Sequence, residues 1–148
     1  MSKSFINILF SLVILVSVGI LLLAFFTWND PRSYGIEPGQ QMTLVRVEQC
    51  HLHEKRHKVE IKGWGYVEEH PHGFFQVYGQ IDNGLYRKFE TFSRERVDVT
   101  KSLKLDESYK LMGFEASYRG LSSNYTGRIM VRMVNPKGEV FSASYQCS

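Results

Sequence analysis

The chain has 148 residues, among them 18 Lys and Arg, 15 Asp and Glu, five His and two Cys. Its mean hydropathy of -0.22 is that of an ordinary soluble protein, yet no charged residue occurs between Lys3 and Asp30. The length fits one apolar segment and one small domain, and leaves no room for a TIM barrel or a dinucleotide-binding domain with its substrate domain.

Residues 5–28 read FINILFSLVILVSVGILLLAFFTW, broken only by Asn7, Ser11, Ser17 and Gly19 before the terminal Thr-Trp. At 1.5 Å per residue this stretch spans roughly 36 Å, enough for a hydrocarbon core of about 30 Å with some tilt. Phe25, Phe26 and Trp28 suit an interfacial aromatic belt, and Asp30-Pro31 ends the helix. A cleaved signal peptide is the rival reading. Against it stand an n-region with Lys3 alone, an over-long apolar run and the lack of a small-x-small site. A helix apolar on all faces has no place in the core of so small a domain. Lys3 and the α-amine favour a cytoplasmic N-terminus, although Arg32 lies on the other side. The expected organisation is residues 1–4 in the cytoplasm, 5–28 across the membrane, 29–41 as a short tether, and 42–148 as an exported domain.

The exported part reads as strands. Thr43–Cys50, Val59–Val67, Phe74–Ile81, Leu85–Phe92, Tyr109–Tyr118, Tyr125–Val134 and Glu139–Cys147 are rich in Val, Ile, Phe and Tyr, and turn formers or charges separate most of them. Phe75/Val77/Ile81, Phe114/Ala116/Tyr118, Ile129/Val131/Met133 and Phe141/Ala143/Tyr145 alternate with more polar neighbours, the period of a half-buried antiparallel sheet. Asp82-Asn83-Gly84 and Asn135-Pro136-Lys137-Gly138 predict hairpin turns. Residues 96–105 predict a short helical turn. Seven strands in so short a domain predict an all-β, immunoglobulin-like sandwich behind a single transmembrane helix.

Cys50 and Cys147 lie near the two ends of this region. An even count outside the membrane suits an oxidising compartment, and no C-x-x-C motif suggests a redox pair. The expected bond closes a loop of almost 100 residues, for which the chain-entropy account gives about 4–5 kcal/mol at its upper end.

The order of short landmarks carries a resemblance. Val59-Glu60-Ile61-Lys62-Gly63-Trp64-Gly65 resembles the "GWA" opening of small bacterial β-sandwich domains found beside, or fused to, glycosyltransferases and other cell-envelope proteins. Arg96-Val97-Asp98-Val99 stands for their "RPDV", with Val97 in place of Pro. Gly113-Phe114 stands for their "GF", and a Gly-led last hairpin follows at Gly127. Gly65 stands where Ala is usual. The resemblance covers residues 57–145 and implies an accessory or interaction domain with no catalytic set to carry over.

Several constellations invite chemistry. Trp64, Arg96 and Asp98 are candidate binding residues, the alternative being an ion pair that only serves the fold. Tyr86 and Lys88 share one face of an alternating strand and could meet a sugar ring or a partner protein. Gly63 and Gly65 flank Trp64 and are expected to leave room for its indole. All five His lie between residues 51 and 72. His51/His53 and His70/His72 are each two apart, so four imidazoles could in principle share Zn or Cu. The bland reading of these residues is a polar loop cluster. Glu68-Glu69 sit on opposite faces of a strand and form no catalytic pair. No G-x-S-x-G or phosphate loop is present. The domain has 17 bases against 15 acids, too even a balance to argue for nucleic acid. Asn124-Tyr125-Thr126 is a glycosylation sequon.

The reading is therefore a non-enzymatic accessory or binding subunit without a cofactor. It would sit in a bacterial inner membrane with its domain in the periplasm, partnering the bilayer, a polytopic enzyme of envelope glycan synthesis or modification, and its glycan. A metal-binding domain built on His51, His53, His70 and His72, or an assembly factor acting through the helix, are the alternatives.

Overall fold

The computed structural model describes the chain except residues 1–2, 29–32, 54, 56, 82–83, 121–124 and 148. The expected stop at Asp30-Pro31, the Asp82-Asn83 part of the first turn, Arg32 and Asn124 of the sequon lie outside the described residues. The chain forms two units, residues 1–32 and 33–148.

The first unit is one helix, α1 (Lys3–Trp28), long and apolar enough to cross a membrane. Its described large apolar side chains are exposed all round the helix. The Ser17 hydroxyl donates to the Val13 carbonyl at 2.9 Å, so this polar group is satisfied within the helix.

The second unit is mostly β and consists of two sheets. Its elements are β1 (Ser33–Tyr34), β2 (Gln40–Gln41), β3 (Leu44–His53), β4 (Lys58–Tyr66), β5 (Phe74–Ile81), β6 (Tyr86–Lys88), β7 (Glu90–Arg94), α2 (Val97–Ser102), a 3-10 turn (Glu107–Tyr109), β8 (Gly113–Arg119), β9 (Tyr125–Val134) and β10 (Val140–Gln146). One sheet has the order β1-β6-β5-β9-β10-β2 and the other β3-β4-β8-β7. The period-two residues meet between them: Val59 and Ile61, Phe75 and Val77, Phe114 and Ala116, and Ile129, Val131 and Met133 are all in one core cluster. At 25 cal/mol per Å² of apolar surface, such fully buried Val, Ile and Phe side chains each contribute about 1.5–3 kcal/mol.

Three expectations are corrected. The stretch 85–92 is not one strand. β6 belongs to the first sheet and β7 to the second, and the chain crosses between them at Phe89, which is 1% exposed. The Phe89 N–H donates to the Val77 carbonyl at 2.8 Å. The Thr91 hydroxyl accepts from the Val77 N–H and donates to the Phe89 carbonyl, at 3.1 and 3.0 Å. Those bonds satisfy the backbone where the ladder breaks. Residues 109–112 are likewise not strand; the 3-10 turn replaces the start of that run, and β8 opens at Gly113. Finally, residues 33–41 are no free tether. β1 pairs antiparallel with β6 at one edge of the six-stranded sheet, and β2 pairs parallel with β10 at the other. The chain between them straps the outer face, where Ile36 packs against the cluster of Tyr78, Tyr86 and Met130.

Tyr145, expected on the buried face with Phe141 and Ala143, is instead 41% exposed near the end of β10. Other local expectations hold. α2 falls inside the predicted helical turn. The Asn135 turn closes with Gly138 N–H to Asn135 O at 2.9 Å, and Gly138 takes a positive φ of 83°. A disulfide joins Cys50 to Cys147 across 97 positions, tying β3 of one sheet to the residue after β10 of the other. Replacing both cysteines by Ala should lower the unfolding free energy by about 2–5 kcal/mol, measured by urea titration of the purified protein. Unchanged stability would show that the staple contributes nothing beyond the packed core.

Candidate functional site

Side chains of β4 alternate between the core and the outer face of the four-stranded sheet. Trp64 takes the outer face. The connection between β7 and β8 folds over it, so Val99 and Met112 share its cluster while Tyr66, Leu105 and Tyr109 pack around them. Trp64 is thereby buried to 7% exposure on a face that would otherwise be solvated. The flanking glycines serve a different purpose from the expected one. A Cβ on Gly63 would lie 2.4 Å from the Arg46 carbonyl oxygen and 2.8 Å from Phe114, and one on Gly65 would lie 2.8 Å from Met42. Both face away from the indole, because neighbours in a strand point oppositely.

A β-bulge supplies the polar part. The β3–β4 register passes from Val47↔Gly63 to Gln49↔Lys62, leaving Glu48 as the extra residue. Its carboxylate accepts from Trp64 Nε1 at 3.1 Å and from both Arg96 terminal nitrogens, at 2.8 Å from Nη1 and 2.9 Å from Nη2. Arg96 also donates to Asp98, Nε to Oδ1 at 3.0 Å and Nη2 to Oδ2 at 2.8 Å. One guanidinium is thus gripped by two carboxylates with fork geometry. Its backbone is held too: its N–H donates to Lys110 O at 2.7 Å, while its carbonyl accepts from the Thr100 N–H and hydroxyl, each at 3.0 Å. A Cβ on Gly113 would meet Arg96 Cγ at 2.6 Å, so only glycine admits this stem.

Hydrogen bonding and charge from Arg96 hold the Glu48 carboxyl below its ordinary range and lower Asp98 to about 2. The same partners, Asp98 first and then Glu48, raise the Arg96 guanidinium further. The three landmarks Trp64, Arg96 and Asp98 are therefore brought together, with Glu48 as the member that sequence reasoning missed. No spacing rule finds Glu48, because a bulge reverses the face assignment at one position. With Arg96 side-chain exposure at 21% and each of its donor nitrogens engaged, the arrangement is a clamp that fixes the β7–β8 connection.

Tyr86 and Lys88 are not part of it. They lie in the other sheet, where Tyr86 is buried with Tyr78 and Met130 and only Lys88 is exposed. The four His do not converge either. His51 and His53 project from the end of β3 opposite Glu60 and Lys58, with ring centroids 6.4 Å apart and His53 Nε2 3.4 Å from Glu60 Oε2. His70 follows the far end of β4. About six residues of extended strand, roughly 20 Å, separate the two pairs along the sheet. Among the described residues no group of three or more His, Cys, Asp and Glu is placed to hold a metal ion.

His70 has a local role instead. Asn135 is 3% exposed, and its Oδ1 accepts from the Lys137 and Glu139 N–H groups at 3.0 and 2.9 Å. That fixes the amide orientation and aims Nδ2 at His70 Nδ1, 3.1 Å away. Nδ1 must then be the acceptor, so neutral His70 carries its proton on Nε2. The His70 ring also lies against Phe141, with centroids 4.9 Å apart.

Two open grooves flank β7. One of about 480 Å³ is lined by Phe74, Gln76, Lys88, Glu90, Thr91 and Ser93 among others, and one of about 290 Å³ runs beside Lys62, Phe92, Arg94 and Glu115. Comparison with protein-family models, curated proteins and solved structures returns no match.

Glu48→Ala should cost about 1–2 kcal/mol and change Trp64 fluorescence in the native state, since partial exposure keeps the loss below that of a buried pair. Because Arg96 lowers both carboxyls, its stabilisation is fully present above their ordinary range near pH 4 and lost as pH falls towards 2. An acid titration of Arg96→Met should lack that component; identical profiles for the two proteins would refute the assignment. Nitrogen NMR of neutral His70 should report the Nε2–H tautomer, and Asn135→Ala should release it.

Proposed function

We propose that this is a single-pass membrane protein whose periplasmic, immunoglobulin-like domain serves as a non-enzymatic binding subunit of a cell-envelope enzyme acting on glycans. The observation that carries the location is the Cys50–Cys147 disulfide in the unit that follows an apolar helix. A structural disulfide belongs to an oxidising compartment, so the helix reads as a signal-anchor with its domain on the exported side. Only four residues lie between Trp28 and Ser33, about 18 Å of reach at full extension. So short a link suits a partner embedded in the same bilayer.

The strand orders support the immunoglobulin-like reading. β3-β4-β8-β7 opposite β6-β5-β9-β10 follows the ABED and C′CFG arrangement, and the parallel pairing of β2 with β10 extends it. The disulfide departs from that fold's usual inter-sheet bond, since it joins the first long strand to the residue after the last. The binding role draws on the resemblance of the Trp64, Arg96-Asp98 and Gly113-Phe114 landmarks to envelope β-sandwich domains. Glu48, Arg96 and Asp98 satisfy one another, and Lys62, Arg94 and Glu115 do the same, as ligand-free structural pairs would.

Mild-detergent purification from native membranes should recover one polytopic enzyme in fixed proportion. Exchange of residues 5–28 for an unrelated anchor should leave that recovery intact. Recovery of abundant bystanders alone, with no envelope phenotype on deletion, would sink the proposal. Alkylation of intact cells should find Cys50 and Cys147 oxidised; free thiols would place the domain in the cytoplasm instead.

A further inference from the structure

β7 is an outer strand of the four-stranded sheet, paired with β8 on one side only. Register decides which of its main-chain groups face outward. The Gly65 N–H donates to the Met112 carbonyl at 2.9 Å, and the same β4–β8 ladder sets Gly63 opposite Phe114 and Ile61 opposite Ala116. Hydrogen-bonded and non-hydrogen-bonded pairs alternate in an antiparallel ladder. Phe114 and Ala116 therefore direct their N–H and C=O towards β4, and Gly113, Glu115 and Ser117 direct theirs towards β7. These three face Arg94, Phe92 and Glu90. Thr91 and Ser93 consequently turn their main-chain groups to the open side, where the groove of about 480 Å³ leaves room.

The side chains of this edge have a definite symmetry. Glu90-Thr91-Phe92-Ser93-Arg94 places an acid and a base at equal distances on either side of an aromatic. Glu90, Phe92 and Arg94 share the outer face, and Phe92 is 54% exposed. Laid antiparallel against itself about Phe92, the strand brings Glu90 opposite Arg94 twice, Thr91 opposite Ser93 twice, and Phe92 opposite Phe92. Every facing pair is favourable, whereas like charges in those positions would oppose the contact.

We propose that β7 pairs antiparallel with β7 of a second copy of this chain, joining two four-stranded sheets across a two-fold axis at Phe92. Thr91 and Ser93 exchange N–H···O=C bonds with Ser93 and Thr91 of the second copy, filling the open side of the ladder. The Phe92 pair and the Glu90–Arg94 pairs fall at non-hydrogen-bonded positions, where facing Cα atoms come to about 4.5 Å and side chains are closest. Arg94 already donates to Glu115 at 2.9 Å in its own chain, and its five N–H donors allow it to bridge both carboxylates. The interface is isologous and closes at two copies, so it makes dimers and no fibres. A contact of one short strand is weak in free solution. Confinement of both copies to a membrane, which rests on the anchor reading above, raises their effective concentration.

The full-length chain carrying F92C, oxidised in isolated membranes and read on a non-reducing gel, tests this. A thiol-reversible dimer should form about ten-fold faster than from K62C, which lies on the same face in the interior strand β4. Charge reversal then separates self-pairing from chance collision. In the F92C background, E90R alone and R94E alone should each lose the dimer through like-charge facing pairs. Differently tagged E90R and R94E chains made together should regain it as the mixed species only. Equal rates for F92C and K62C, no recovery in the mixed pair, or capture of a different protein in place of a second copy would each overturn the proposal.

Discussion

The passage of the chain from one sheet to the other at Phe89 governs most of what the molecule presents to its surroundings. Burial of the Phe89 ring fixes the crossing point, with Tyr118 stacked 5.3 Å away and Tyr125 beside it. Thr91 and Val77 tie off the backbone where the strands separate. β6 ends one residue before the crossing and β7 begins one residue after it. The first half of β5 is thereby left without a paired strand on that side, and β7 becomes an edge. The switch lets one short segment serve both sheets, and it leaves β7 as an uncapped edge.

Elsewhere the protein covers its own surfaces. The segment of residues 33–41 crosses the outer face of the six-stranded sheet, and residues 95–112 cross part of the outer face of the other. Each cover is held by a different force. The first is a strap, hydrogen-bonded at both edges, with Ile36 as its apolar contact. The second rests on Trp64, Val99 and Met112, and the Arg96 clamp holds it in one orientation. Apolar burial supplies the driving force for docking, while the forked ion pairs add direction at small net energy. What stays uncovered around β7, chiefly Phe74 and Phe92, stands out against this economy.

Much of the fold was legible because its signals are local. The period of two in residues 75–77, 114–118 and 129–133 marks the buried faces, and those residues do form the core. The pairing of the two cysteines followed from their number and their places near the domain's ends. The strand over 85–92 failed because alternation reports two faces and cannot report a change of sheet. The tether failed because Ser-Tyr-Gly and Pro-Gly-Gln-Gln look like linker, while their docking depends on strand edges contributed from more than 50 residues away. In the clamp, Trp64, Arg96 and Asp98 were visible as landmarks. Glu48 was not, since its role exists only where the register of β3 slips by one residue.

By itself, then, the sequence determined an apolar helix long enough to span a bilayer, a β-rich domain behind it, many of the alternating residues that line its core and the cysteines that close it. Composition and short-range periodicity carry those facts, and both are properties of neighbouring residues. Tertiary structure decided which strands share a sheet, where the chain crosses, and which polar residues meet. It buried Tyr86, kept His51 and His53 apart from His70, and turned Thr91 and Ser93 towards open space. Each of those outcomes depends on pairing between distant segments, whose register is set by the packing of the whole core.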